Sequence, residues 1–238
     1  MTIIYSGAPG SASNTLKNKL ESILNCNAQT PKAGKGIGHL AINIPPLEKI
    51  LKKLKLGFLK KKPELIYGHI FPTEFNMTLL NRHYDIKEII ISYRNIYDQI
   101  NYFYKWQKYR LKGPLTFVEN PVLQKKNKFT SDNFDIDLNL LLLLNFYKQW
   151  FGLIQNHLIH NVTLISFDEI VSNNASYQEK ILFIYKDRLK YNGQIRFDEK
   201  IEANIFEKEK FVIHSRHLKM IEEFITFNNN IDFSLITN

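Results

Sequence analysis

Chemistry in this chain is concentrated in short stretches of unusual composition. Ser6 to Thr15 (SGAPGSASNT) joins glycines that allow a tight turn, Gly7 and Gly10, to side chains small enough for backbone N–H groups to approach an anion, namely Ala8, Ser11, Ala12 and Ser13. The residues after Gly10 are Ser11 and Ala12, so the pattern G-x-x-x-x-G-K-[ST] is not met, which disfavours an ordinary ATPase or kinase. A plain strand-to-helix turn with Ser13 or Asn14 as helix cap is the structural alternative. In Gly68-His69-Ile70-Phe71-Pro72 a histidine stands between a glycine and a proline, where its imidazole can take a proton near neutral pH. His39, in GIGHLAI, is a rival base. Ser92-Tyr93-Arg94-Asn95 offers a planar fork of donors suited to phosphate, or else an arginine paired with a carboxylate at a sheet edge.

Each stretch follows an apolar run. Thr2 to Tyr5 reads as a strand, Asn14 to Leu24 as a helix with Leu16, Leu20, Ile23 and Leu24 at helical spacing, and Glu64 to Tyr67 as a short buried strand. Thr73 to Arg82 reads as a helix. Ile86 to Tyr93, with consecutive Ile89, Ile90 and Ile91, has the continuous β-branched run of a strand covered on both faces. Helices are predicted over Ile96 to Arg110, Asp135 to His157, Ala175 to Tyr191 and Ser215 to Phe227, with a buried strand from Val162 to Phe167. Alternation of this kind indicates βαβ units in a doubly wound α/β fold: a parallel sheet flanked by helices in one domain over residues 1–238. Ligands of such sheets bind beyond the carboxyl ends of the strands, so the reactive stretches are expected to converge there.

Taken together and in this order, these segments resemble the sulfotransferases that use 3′-phosphoadenosine-5′-phosphosulfate (PAPS). The family's loop P-[KR]-[SG]-[GS]-[ST]-[ST] is matched by Pro9-Gly10-Ser11-Ala12-Ser13-Asn14, followed by Thr15 and Leu16. Its Gly-His-x-Pro segment is similar to Gly68-His69-Ile70-Phe71-Pro72, with one extra residue, and its R-[ND]-P-x-[DE] strand end to Arg94-Asn95-Ile96-Tyr97-Asp98. Trp150 and VTLISFDEI (Val162 to Ile170) look like its late helix and a strand ending in Y-E-[DE]-L. The resemblance implies a P-loop-like nucleotide site with Gly10 to Thr15 holding the phosphosulfate, Arg94 on the 3′-phosphate and His69 as catalytic base. It implies PAPS as co-substrate, a hydroxyl- or amino-bearing acceptor and no metal requirement. The loop's basic residue is replaced by Gly10, with Lys17, Lys32 or Lys35 as candidate substitutes. The helix serine that would meet the 3′-phosphate is replaced by Tyr102, preceded by Asn101, and either can donate to it. No C-terminal R/K-x-G loop is evident, and Arg196, Lys200 and Lys208 are candidates for its role.

The 238 residues carry 32 Lys and Arg against 23 Asp and Glu, a net charge of +9, with 44% hydrophobic and 13% aromatic residues. That is enough apolar material for a real core, and it excludes disordered and collagen-like classes. The charge suits a polyanion or a phosphorylated cofactor, although lysine shares A/T-rich codons with the abundant Ile, Asn, Phe and Tyr. A non-catalytic module holding an anionic glycan or nucleic acid on the same fold is therefore the alternative function, with nucleic acid the less favoured partner of the enzyme reading. The single cysteine, Cys26, excludes an intrachain disulfide framework. The longest apolar run, Leu140 to Leu144, falls far short of the ~20 residues of a membrane-spanning helix, and a cytoplasmic location is expected. Lys49 to Lys62, on a predicted basic helix from Pro46, reads as a solvated face or a polyanion surface. Tyr102, Phe103, Tyr104 and Trp106 read as core or as a stacking platform for a saccharide acceptor. The sequons at Asn76, Asn161 and Asn174 read as chance matches.

Overall fold

A computed structural model describes residues 1–28, 65–109, 136–190, 195, 197 and 211–237. The predicted helix from Pro46, the lysines at 32 and 35, His39, Arg196, Lys200 and Lys208 lie outside the described residues.

Strand β1 (Thr2–Gly7) is buried along its whole length, as its unbroken apolar start requires. It lies between β2 (Leu65–Gly68) and β3 (Ile86–Tyr93), and β4 (Val162–Ser166) pairs with the far side of β3. All pairings are parallel and the order is β2-β1-β3-β4. The expected α/β architecture is thus present. Alternate residues of the strands feed separate cores. Ile4, Ile66, Ile89 and Ile91 pack with helices α3 (Ile96–Tyr109) and α4 (Ile136–Gln155) on one face. Ile3, Tyr5, Leu65, Tyr67, Ile90 and Ile165 pack with α1 (Ser13–Leu24) and with the helix Ala175–Phe183 on the other. A sheet covered on both faces explains why its strands read as continuous apolar runs rather than as alternating ones. β4 is the exception, half-buried at an edge of the described sheet and ending at Ser166 rather than Phe167.

Chain direction reverses across the sheet at β1. From β1 the chain runs out to β2, whereas β3 returns to the other side of β1, so the crevice between the carboxyl ends of β1 and β3 is the topological switch point of this sheet. Helix α2 (Glu74–His83) links β2 to β3 and is capped by Thr73, whose hydroxyl accepts from Asn76 N at 3.3 Å. Phe167 opens a short helix instead of ending a strand: α5 (Phe167–Ser172) starts from a capping box in which Ser166 and Glu169 satisfy each other's backbone N–H. Helix α6 (Ala175–Phe183) gives way to a π-helical turn over Ile184–Arg188, so the helix predicted to Tyr191 stops early. The chain closes with α7 (Ser215–Phe227), as predicted, and α8 (Ser234–Thr237). No described helix is long and apolar enough to cross a membrane. The leucines of α4 belong to the core: Leu140, Leu143 and Leu144 are buried. Asn76 is buried too, its amide donating to Phe71 O at 2.5 Å.

Candidate functional site

The loop from Ala8 to Ala12 leaves β1 at the switch point, and its backbone carbonyls are held from inside the protein. Ala8 O accepts from Ser11 N at 3.2 Å and from the Ser11 hydroxyl at 2.6 Å. Pro9 O accepts from Gln99 Nε2 at 2.7 Å, and Gly10 O from Arg94 Nη1 at 3.2 Å. Gln99 is buried on α3 and is fixed in turn by Tyr147, whose hydroxyl donates to Gln99 Oε1 at 2.7 Å. With Ala8, Pro9 and Gly10 satisfied in this way, the loop does not present those carbonyls to an incoming anion.

Its amides are arranged differently. Gly10 (φ 75°) and Ala12 (φ 54°) both adopt the left-handed conformation, and Ala12, with no side-chain oxygen, is the residue that starts α1. The expectation that Ser13 or Asn14 caps this helix is therefore wrong: the chain enters α1 one residue earlier, through a strained alanine. The first backbone bond of the helix is Leu16 N to Ala12 O at 3.0 Å. Among the described residues none accepts from the N–H groups of Ala12, Ser13, Asn14 or Thr15. Helices α2, α5 and α6 have side-chain caps, and Asn95 serves α3 by accepting from Tyr97 N at 2.9 Å, whereas α1, like α7, has none. Orphan donors at a helix N-terminus, added to alternating left-handed residues, are the kind of backbone arrangement that can take an anion.

The other expected residues converge on this loop. The Tyr102 ring lies against Gly10 so closely that a Cβ there would meet Cδ1 at 3.0 Å. Arg94, besides its bond to Gly10 O, stacks its guanidinium 3.7 Å above the Phe167 ring, the first residue of α5. Asn101, one residue before Tyr102, turns its side-chain oxygen to Phe211 N at 2.7 Å, fastening the segment before α7 to α3. Ser13 and Asn14 share the proton of the buried Tyr67 hydroxyl, at 3.2 and 3.1 Å. Burial, the largest influence on Tyr67, raises its pKa and keeps that donor protonated. Lys17, a candidate for the loop's cation, pairs with Glu21 at 3.1 Å along α1.

His69 is set beside this loop by the way β2 ends. The Ser6 hydroxyl both donates to Ile70 O and accepts from Ile70 N, each at 2.9 Å, and Trp150 Nε1 adds a second donor to Ile70 O at 2.9 Å. This clamp brings the nearly buried His69 ring against β1, where Nδ1 bonds to Gly7 O. A carbonyl only accepts, so Nδ1 carries a proton directed at Gly7 O.

No family model and no curated protein matches this sequence. Among solved structures, mouse sulfotransferase SULT7A1 complexed with PAP is similar over 95% of this chain and 83% of its own, with 12% sequence identity and a TM-score of 0.48.

Sequence reading missed a second polar cluster, on the far side of α3. His217, fully buried on α7, bonds through Nε2 to Asp137 in the first turn of α4 and through Nδ1 to the Tyr104 hydroxyl. Tyr104 also accepts from His214 N at 3.2 Å, and Arg216 lies 3.4 Å from Asp137. The aromatic set on α3 is thus divided: Tyr102 covers the loop, Phe103 is core and Tyr104 serves this cluster. Among the described residues no group of three or more His, Cys, Asp or Glu side chains is placed to hold a metal ion.

Proposed function

We propose that this protein is a sulfotransferase that holds PAPS at the loop between β1 and α1 and delivers its sulfuryl group to a hydroxyl or amine of an acceptor. The observation that carries this reading is the pairing, at the end of one strand, of an amide cradle with satisfied carbonyls and a histidine whose Nδ1 is anchored on Gly7 O. The residues fit such a donor. The N–H groups of Ala12 to Thr15, with Gly10 leaving room in front of Tyr102, suit the phosphosulfate. Arg94 suits the 3′-phosphate, with Tyr102 and the amide nitrogen of Asn101 on the adjoining helix as further donors. The bound donor supplies an electrophilic sulfuryl group.

The chain's own part is positioning and proton transfer. The cradle amides hold negative charge in place without reorganising, which is the form of stabilisation that lowers a barrier most. Arg94, tied to the loop, fixes the donor's orientation relative to His69. His69 Nε2 removes the acceptor's proton as the new S–O or S–N bond forms and the bond from sulfur to the donor's bridging phosphate oxygen breaks, releasing 3′-phosphoadenosine-5′-phosphate. The acceptor is a compound met in the cytoplasm, and the net charge of +9 favours an anionic saccharide over a small phenol. One observation favours a non-catalytic binding module instead. Gly10, at φ 75° and in contact with Tyr102, leaves no place for the basic side chain that the resemblance expects there. Incubation with PAPS carrying labelled sulfate and a panel of saccharides, amines and phenols separates the two. Labelled saccharide or amine supports the proposal, label on hydrophobic phenols alone reverses the acceptor preference, and no transfer to any acceptor supports the module.

A further inference from the structure

Beneath the loop, Tyr5, Ser92 and Ser11 form a line of hydroxyls with no accessible surface. Tyr5 OH lies 2.8 Å from Ser92 Oγ, Ser92 Oγ lies 2.7 Å from Ser11 Oγ, and Ser11 Oγ lies 2.6 Å from Ala8 O. The direction of every bond follows from the last one. Ala8 O can only accept, so the Ser11 proton points at it. Ser92 must then be the donor to Ser11, and Tyr5 the donor to Ser92.

We propose that Tyr5, Ser92 and Ser11 are positioning residues, a directed hydroxyl chain that holds the loop with its carbonyls inward and its amides outward. Ser11, which the sequence pattern places among the ligand-binding residues, has its only hydroxyl proton committed to Ala8 O and contributes to anion binding through the loop's shape alone. Two further features support this. Burial, with Tyr67 nearby, holds the Tyr5 phenol well above its usual range, so the first donor of the chain stays protonated. Gly7 closes over the chain, because a Cβ there would lie 2.5 Å from Ser13 Cβ, 2.9 Å from Ser92 Oγ and 3.0 Å from the Tyr5 hydroxyl. Thus the glycine that ends β1 is needed for the space the hydroxyls occupy.

The ligand side of this inference rests on the nucleotide reading above, and the loop side does not. The test compares wild type, Ser92→Ala and the double variant Tyr5→Phe/Ser92→Ala in the full chain. It measures thermal midpoint, amide hydrogen exchange at Ser11 and Leu16, whose N–H groups are bonded to Ala8 O and Ala12 O, and calorimetric affinity for 3′-phosphoadenosine-5′-phosphate (PAP) and for inorganic pyrophosphate. Ser92→Ala leaves the Tyr5 hydroxyl buried without its acceptor, so the midpoint falls, loop exchange rises by about tenfold and affinity drops by about tenfold. Removing both partners relieves the buried hydroxyl, so the double variant regains the midpoint while fast loop exchange and weak affinity persist. Recovery of exchange and affinity together with the midpoint would make the chain merely structural and overturn the proposal. So would Ser92→Ala exchanging like wild type. If wild type binds neither PAP nor pyrophosphate, the nucleotide reading falls by itself and the exchange data still decide whether the chain orders the loop.

Discussion

Two buried histidines mark two differently built regions of this protein. His217 is gripped on both ring nitrogens by side chains, Asp137 and Tyr104, each from a different helix. His69 is anchored through Nδ1 to a backbone carbonyl at the end of the central strand, beside a helix start whose first amides meet no acceptor among the described residues. The first arrangement consumes the imidazole's hydrogen-bonding capacity in tying α3, α4 and α7 together. The second fastens the ring to the end of β1, next to the loop that enters α1. Burial alone does not distinguish the two histidines; the groups that hold each ring do.

Substitutions at these regions can break the contrast. The largest effect is expected for His69→Ala, which should lower turnover by about 10² to 10⁴-fold with PAP affinity nearly unchanged, as steady-state kinetics and calorimetry would read. Unfolding judged by circular dichroism would instead make His69 a second packing histidine. Arg94→Ala should weaken PAP binding by about 1.5–3 kcal/mol, the range for hydrogen bonds to charged groups, and adenosine-5′-phosphosulfate much less. Equal losses in titration calorimetry would remove Arg94 from the 3′-phosphate. His217→Ala should cost about 1–3 kcal/mol in urea denaturation, since it strips partners from Asp137 and Tyr104, and should leave turnover per folded molecule as it was. A turnover loss matching that of His69→Ala would erase the distinction. Gly10→Ala is expected to act least, about 1–2 kcal/mol of strain from the left-handed φ of 75°, expressed as weaker PAP binding where the new Cβ meets Tyr102.

How far these regions could be read in the sequence depended on the range of the interactions involved. Ile86 to Tyr93 and Ser215 to Phe227 were legible because apolar periodicity is local, and the observed elements have those same bounds. The convergence of Gly10, His69 and Arg94 followed from parallel topology, which brings strand ends to one edge. The start of α1 did not follow: a left-handed Ala12 leaves no mark in a sequence where Ser13 and Asn14 are the better caps. The short helix from Phe167 was hidden because its capping box directly abuts the strand. The His217 cluster and the hydroxyl chain were out of reach for a different reason. His217 and Asp137 stand 80 positions apart, and Tyr5 and Ser92 stand 87 apart, so only the assembled sheet and helices bring them together.

On the proposed function, the cradle between β1 and β3 takes a 3′-phosphorylated adenine nucleotide. Thermal denaturation of the wild-type chain with PAP, with ATP and with DNA tests it most directly. PAP should raise the midpoint most, in a concentration-dependent manner, and Arg94→Ala should abolish most of that rise. Stabilisation by DNA or by ATP with no response to PAP would contradict it.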